Sequence, residues 1–436
     1  MQIFTMKMIL YNTLLAGAAM VLGPWYAWRI LASGKYRKSV GPKLGFHPAD
    51  TFAGVDGDPR VWIHAVSVGE VNAAAAVVAR LRKIYPTAAL FLSTSTETGQ
   101  EAARRLVPEA SAWFYFPLDI PRVIRGVMDR VAPDVFVTVE TELWPNFIRI
   151  CGERSVKVVM VNGRLSPRSF RKYRATKFFW KDVLGRIDAA GVISETDGER
   201  LRKLGMNPSR VFVLGNTKYD DLTKRADPAV REATARLLFI DDDTPMIVAG
   251  STHEGEETLV VDAWRRLLER VPRVRLILAP RHVDRAAGLV AMLRNRGCAA
   301  TTLTAVEKGT GDARAPVIVV DVMGHLFSLY SVAAVVFCGG SLVTRGGQNV
   351  LEPAAWGKVV LHGPFMDDFS SEGRCLDEVG GGITVRNGGE LEARLRELLL
   401  DPEGRRRQGE AGRRVVEENQ GAAARYAEMI SRSLGL

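Results

Sequence analysis

The sequence predicts an α/β protein of two Rossmann-like lobes with a cleft between them, preceded by an apolar N-terminal helix. Three observations predict this. From about Arg60, short apolar runs alternate with helical stretches, the pattern of a parallel sheet covered on both faces. Around Asn216 to Asp227 that pattern loosens into polar residues (Thr217, Lys218, Asp220, Asp221, Lys224, Asp227), and then the same alternation starts again. At 436 residues the chain is also too long for one ordinary domain. The expected divisions are an anchor over residues 1–34, a first Rossmann-like domain over 35–222, a second over 223–420 and a C-terminal helix over 421–436.

The N-terminal stretch Met8–Trp28 has only Asn12 and Thr13 as strongly polar residues and is about long enough to cross a bilayer. It is too long for the core of a signal peptide and lacks a clean small-residue cleavage site. Trp25, Tyr26 and Trp28 cluster at its end, as in an interfacial aromatic belt. Arg29, Lys35, Arg37, Lys38 and Lys43 follow, against only Lys7 before it, so the positive-inside rule puts the body of the protein in the cytoplasm. A helix lying on the membrane is the competing reading.

In the first domain the expected strands are Val61–Val66, Ala89–Leu92, Ala112–Phe116, Asp134–Val139, Val156–Val161, Ala189–Ile193 and Val211–Leu214, with helices such as Val71–Arg82, Gln100–Leu106 and Pro121–Val131 between them. In the second they are Met246–Ala249, Val274–Leu278, Val317–Val320, Ala333–Cys338 and Val359–His362, before a charged helical tail from Glu403. An apolar content of 47% supplies two sizeable cores. Cys151, Cys298, Cys338 and Cys375 lie far apart with no paired spacing, which argues against a disulfide framework and a structural zinc site and fits a reducing compartment. A net charge of +10 favours an anionic partner: nucleic acid, acidic lipid or a phosphorylated substrate.

Sheets of this type bind ligands beyond the C-terminal ends of their strands, so the residues there are the candidates. Glu70 follows the first strand and can take a proton from an acceptor hydroxyl; its competing role is to complement the positive end of the helix it starts. A base must be reachable, so this reading fails if Glu70 is buried or turned away from the groove that Arg281 and Glu352 are expected to line. Glu140 and Glu142 follow the fourth strand with no histidine near, which makes metal the weaker reading. Asp241, Asp242 and Asp243 precede a strand and read as a solvated turn, and His64 reads as a packed strand residue.

Arg164, Arg168, Arg171, Lys172, Arg174, Lys177 and Lys181 interleave with Phe170, Tyr173, Phe178, Phe179 and Trp180. That composition suits acidic headgroups, with a solvated helix face as the alternative; no nucleic-acid module surrounds it. Lys218 sits where the domains meet and can offset charge on a departing phosphate. In the second domain Gly250–Glu254, Pro280-Arg281-His282 and Met323-Gly324-His325 all follow strands. The stretch Gly339–Gly363 combines two glycine pairs with Asn349 opening a helix and Glu352 in capping-box register. Free N–H groups there would face an anion, the grip of a nucleotide sugar; an ordinary capped helix is the alternative.

With these residues in view, the chain resembles the lipid A Kdo transferases (3-deoxy-D-manno-octulosonic acid transferases). The resemblance covers nearly the whole chain and is carried by His64–Asn72, Glu140–Asn146, Asn162–Ser169, Gly215–Tyr219, Gly250–Glu257, Pro280–His282 and Gly339–Pro364. It implies a GT-B fold and a glycosyltransferase at the cytoplasmic face of the inner membrane. The implied reaction moves Kdo from CMP-Kdo to the lipid A precursor lipid IVA in lipopolysaccharide biosynthesis, with inversion, without a metal or other cofactor and without nucleic acid. It makes the first domain acceptor-binding and the second CMP-sugar-binding. It makes Glu70 the proton acceptor and Glu140 and Lys218 transition-state stabilisers. Pro280, Arg281, Met323, Gly324, His325, Asn349, Val350, Leu351 and Glu352 would hold CMP. The family usually has Glu where this chain has His325 and His where it has Gln348. The alternatives are a membrane-associated GT-B enzyme using a UDP-sugar, such as a lipid A disaccharide synthase, and a catalytically silent nucleotide-sugar-binding scaffold.

Overall fold

The computed structural model describes residues 2–33, 37–220, 222–241 and 243–436; Lys35, Asp221 and Asp242, and the side chains of Tyr26 and Arg37, lie outside the described residues. Backbone packing divides the chain into two units, residues 1–220 with 420–436, and residues 221–419.

The first unit holds seven parallel strands: β1 (Arg60–His64), β2 (Ala89–Thr94), β3 (Ala112–Tyr115), β4 (Val135–Val139), β5 (Lys157–Gly163), β6 (Ala189–Val192) and β7 (Val211–Val213). Their order is β3-β2-β1-β4-β5-β6-β7, so the sheet changes direction of winding between β1 and β4. Side chains alternate across the sheet. Trp62 and Phe136 enter one core with Phe91, Phe114 and Phe147. Ile63, Val135 and Val137 enter the other with Leu90 and Leu92.

The helix Ala422–Leu434 belongs to that second core, with Tyr426 fully buried and its hydroxyl donating to Gly215 O at 2.7 Å. Asp220 accepts from the N–H groups of Gly421 and Ala423 at 2.6 and 2.5 Å and so caps that helix. The tail is therefore part of the first unit's core.

The second unit repeats the plan with β8 (Met246–Thr252), β9 (Arg275–Pro280), β10 (Ala300–Thr302), β11 (Val317–Val319), β12 (Val335–Cys338), β13 (Val359–His362) and β14 (Gly382–Thr384). All pair in parallel in the order β10-β11-β9-β8-β12-β13-β14, which puts the switch between β8 and β12. The loop after β12 presses against β8: a Cβ on Gly339 would lie 2.5 Å from Ser251 O, so only glycine fits. Sequence periodicity missed β10 and β14, each three residues long and rich in threonine or glycine.

The N-terminal helix runs Gln2–Ser33, and Phe4–Trp25 is long and apolar enough to cross a membrane. Its first turns are pinned to the first unit. Lys7 pairs with Asp182 at 2.5 Å, Tyr11 donates to Asp119 at 2.9 Å, and Asn12 and Asn146 exchange amide hydrogen bonds. Lys7, counted in the sequence only as the one cation before the apolar stretch, is thus held against the first unit. Lys43 O in turn accepts from Leu118 N at 2.8 Å, next to the residue that holds Tyr11.

Candidate active site

In the first unit, the ends of β1, β4 and β5 carry the chemistry. Glu70 is the third residue of the helix Val68–Ile84. It folds back over the turn, Oε2 accepting from Val66 N at 2.7 Å and Oε1 from Ser67 Oγ at 3.3 Å. It is 9% exposed, more buried than an open base requires, and this corrects the expectation of a freely reachable carboxylate. Burial, reinforced by Glu140 and Glu142 and opposed by the Val66 N–H, pushes its carboxyl up to about 8. Burial and then Glu140 push Glu142 up to about 7. Glu140 stands just past β4 in the left-handed region, φ 58°, with its N–H bonded to Val161 O. That conformation costs a non-glycine residue about 1–3 kcal/mol and marks the position as one the surrounding structure enforces.

Lys218 lies in the short turn Thr217–Tyr219, which packs against the helix Val68–Ile84. The turn is hung on the end of β5: Asn162 Oδ1 accepts from Thr217 N at 3.0 Å and from Thr217 Oγ1 at 3.3 Å. Asn216 Oδ1 accepts from Lys218 N at 3.0 Å. Glu70, Glu140, Glu142 and Lys218 thus share the C-terminal edge of one sheet. His64 is a core residue, as its strand position predicts, stacked on Phe116 at 3.9 Å and held neutral by burial, with a value near 3.

The basic–aromatic stretch forms the helices Pro167–Ala175 and Lys177–Leu184. Arg168, Arg171, Lys172, Arg174, Lys177 and Lys181 are exposed, while Phe170, Tyr173, Phe179 and Trp180 pack on the core. The N-terminal helix meets this stretch through Lys7 and Asp182, Tyr11 stacked on Phe179 at 5.7 Å, and Arg186 over Phe4.

In the second unit a cavity of 180 Å³ lies at the ends of β8, β9 and β12. Pro280, Arg281, Met323, Gly324, Asn349 and Glu352 all line it, with Gln348 beside them. Asn349 Oδ1 accepts from Leu351 N at 3.1 Å and its amide donates to Glu352 Oε1 at 3.2 Å, which fixes both side chains. Burial raises the Glu352 carboxyl; Arg225 and the Asn349 hydrogen bond oppose that rise. Three expected residues do not line the cavity. His325 turns to Glu307 at 3.4 Å, and Val350 and Leu351 are fully buried.

The glycine loop differs from its sequence reading. Glu256, fully buried, accepts from His253 N (2.9 Å), Gly340 N (2.7 Å), Ser341 N (3.0 Å) and Leu342 N (2.9 Å). The anion in that cradle is the chain's own carboxylate. The larger hollow of this unit, 1110 Å³, lies at the opposite ends of the strands, lined by Arg236, Arg273 and Phe239, and holds none of the expected residues. Asp241 and Asp243 are paired there with Arg273, as a solvated turn. Among the described residues no group of three or more His, Cys, Asp or Glu side chains is placed to hold a metal ion.

Residues 38–221 match the family model described as 3-deoxy-D-manno-octulosonic-acid transferase (kdotransferase). The chain is 32% identical to the 3-deoxy-D-manno-octulosonic acid transferase of Haemophilus influenzae, over 91% of this chain and 92% of that protein. The chain belongs to the 3-deoxy-D-manno-octulosonic acid transferase family. It is therefore a glycosyltransferase acting on that sugar, Kdo. Among solved structures, UDP-GlcNAc 2-epimerase from Neisseria meningitidis resembles it with a TM-score of 0.59 at 14% identity, over 86% of this chain and 99% of that one. A glycosyltransferase from Rickettsia africae does so with a TM-score of 0.57 at 14% identity, over the same shares. These likenesses show the GT-B fold.

For a Kdo transferase, three further residues matter that sequence reasoning passed over. Asn162 hangs the Lys218 turn and was read only as the head of the basic stretch. Tyr330 lines the cavity, its hydroxyl in the space that a Cβ on Gly250 would fill, and its signal is that glycine at a strand end. Glu256 reads in sequence as an ordinary acid in a first helical turn.

Proposed function

We propose that the chain transfers Kdo from CMP-Kdo to lipid IVA at the cytoplasmic face of the inner membrane, with inversion and without a metal ion. The observation that carries this reading is the cavity at the strand ends of the second unit that gathers Pro280, Arg281, Met323, Gly324, Asn349 and Glu352 in one wall. Arg281 at its rim matches one phosphate, and an arginine can offset a monophosphate's charge where a diphosphate donor often needs a divalent ion.

In the proposed step the acceptor's 6-hydroxyl oxygen forms a bond to the anomeric carbon of Kdo. The bond from that carbon to the phosphate oxygen breaks, and its electron pair leaves with CMP. The hydroxyl proton passes to Glu70. Glu140 stabilises positive charge on the sugar ring, and Lys218 offsets negative charge on the departing phosphate. Its burial, at 9% exposed, counts against Glu70 as the base, and the role stands here as the proposal that Glu70→Gln tests; a raised pKa makes the ionised form the stronger proton acceptor.

The N-terminal helix and the exposed cations of Pro167–Leu184 face the bilayer in this reading. Tyr11 and Lys43 are both tied to the Leu118–Asp119 pair, so the helix and the chain returning from it start and finish on one side. This supports a helix lying in the membrane surface over one that crosses it. A thermal-shift titration tests the donor site: CMP raises the melting temperature and UDP at equal concentration does not, whereas a preference for UDP contradicts the proposal.

A further inference from the structure

Between the strand β4 and the helix Pro145–Glu153 runs the turn that carries Glu140 and Glu142. Its first half is tied to the sheet. Glu140 N donates to Val161 O at 2.9 Å, Thr138 Oγ1 to Glu142 O at 3.1 Å, and Thr141 Oγ1 to Arg164 O. Glu140 holds φ 58° there, a conformation that persists only where the surroundings enforce it.

The second half ends at a helix start that cannot cap itself. Trp144 occupies the capping position and makes no side-chain cap, and Pro145 has no N–H. The next two N–H groups go to Asp119 instead: Asn146 N donates to Oδ2 at 3.1 Å and Phe147 N to Oδ1 at 2.9 Å. Asn146 Nδ2 also donates to Asp119 O at 2.7 Å. Asp119 and Asn146 are both buried.

The N-terminal helix completes this seat. Tyr11 Oη donates at 2.9 Å to Asp119 Oδ2, the same oxygen that accepts from Asn146 N. Asn12 Oδ1 accepts from Asn146 Nδ2 at 2.6 Å, and Asn12 Nδ2 donates to Asn146 Oδ1 at 3.2 Å. Phe4, Lys7, Met8, Tyr11 and Asn12 recur every three or four residues and so share one face of the helix. Met6, Ile9, Leu10 and Leu14, on the opposite face, are exposed. A membrane contact needs only that apolar face. Two polar side chains aimed into a buried helix start have a different use, because the groups they meet would otherwise lose hydrogen bonds out of reach of water.

We propose that Tyr11 and Asn12 are positioning residues for sugar transfer: they fix the start of the helix Pro145–Glu153, and through it the turn that presents Glu140. The inference rests on Glu140 acting in the proposed transfer. It makes the N-terminal helix a brace for the active site as well as a membrane contact.

Two measurements on the full chain test it. Both use Lys7→Gln as the comparison, since Lys7 holds the same helix through Phe178 O and Asp182, away from the turn. The first is fluorine NMR on protein labelled with 5-fluorotryptophan, with the Trp144 line assigned by Trp144→Phe. Asn12→Ala and Tyr11→Phe each move or broaden that line and leave the line of Trp264, in the second unit, in place. Lys7→Gln leaves both lines in place. Tyr11→Phe keeps the ring that stacks on Phe179, so it carries the test should Asn12→Ala fail to fold. An unmoved Trp144 line in both variants overturns the proposal. The second is transfer from CMP-Kdo to lipid IVA in mixed micelles at saturating acceptor, which removes any part played by membrane recruitment. Asn12→Ala lowers kcat about tenfold and Tyr11→Phe about threefold, with the KM for CMP-Kdo unchanged. Unchanged kcat in both variants, or an equal fall with Lys7→Gln, overturns the proposal and leaves the helix as an anchor. If the wild type transfers nothing to lipid IVA, the proposed reaction fails, and the Trp144 line alone decides whether Tyr11 and Asn12 hold the turn.

Discussion

Glu70 is a buried carboxyl, and its burial sets how transfer responds to pH. If, as proposed, the ionised form of Glu70 is the base, its rise to about 8 makes kcat/KM climb tenfold per pH unit on the acid side and level off near pH 8. A profile that is flat from pH 6 to 9 contradicts Glu70 as the base. The same shift has a stability consequence of definite sign. Between about 4.5, its ordinary value, and about 8, the folded state holds a proton that the unfolded state has lost, so this group's contribution to stability falls as pH rises through that window. Glu70→Gln removes that slope, keeps CMP affinity, and lowers turnover by at least about a hundredfold. Glu256 calls for a different measurement. Its carboxylate satisfies the N–H groups of His253, Gly340, Ser341 and Leu342. Glu256→Ala leaves those donors buried and unpaired, with an expected loss of about 3 kcal/mol or more in a urea titration; an unchanged midpoint contradicts its structural role. Glu70 and Arg281 stood out in the sequence as candidates because Arg281 directly follows an apolar strand and Glu70 opens the helix after one. Glu256 did not, because the groups it binds lie more than eighty residues further along the chain.

The elements were legible wherever burial leaves a periodic mark. The five-residue strands β1 and β4 are apolar apart from Arg60 and His64 at the two ends of one and Thr138 in the other, and were placed within a residue or two. The strands β10 and β14 are too short to show a period and take their conformation from neighbours. The C-terminal helix was visible as a helix, but its return to the first unit was not, since that depends on Asp220 and Gly215 receiving Gly421 and Tyr426. Composition alone likewise could not show that the N-terminal helix is pinned by Lys7, Tyr11 and Asn12. The neighbouring helix Pro167–Ala175 gives a direct test of the membrane-facing surface. Replacing Arg171, Lys172 and Arg174 with alanine removes three exposed cations. Each is worth about 1 kcal/mol at an anionic bilayer. Binding to vesicles containing acidic lipid should weaken by two orders of magnitude or more at low salt, with no change on neutral vesicles. Equal binding by wild type and triple variant contradicts this face as the contact.

At the scale of the whole molecule, two units repeat one plan, and each sheet places its chemistry where its winding reverses. In the first that point lies between β1 and β4, next to Glu70 and Glu140; in the second it lies between β8 and β12, next to Ser251 and the glycine loop. The family could be read from ordered motifs spread along the chain, most of them in the loops that follow strands. The acceptor could not be read in that way. The most direct test is to incubate the purified protein with CMP-Kdo and lipid IVA in the presence of a metal chelator and to weigh the lipid. The wild type should yield lipid IVA heavier by a whole number of Kdo residues, and Glu70→Gln should yield none. Unmodified lipid from the wild type, or product from Glu70→Gln at the wild-type rate, would contradict the account.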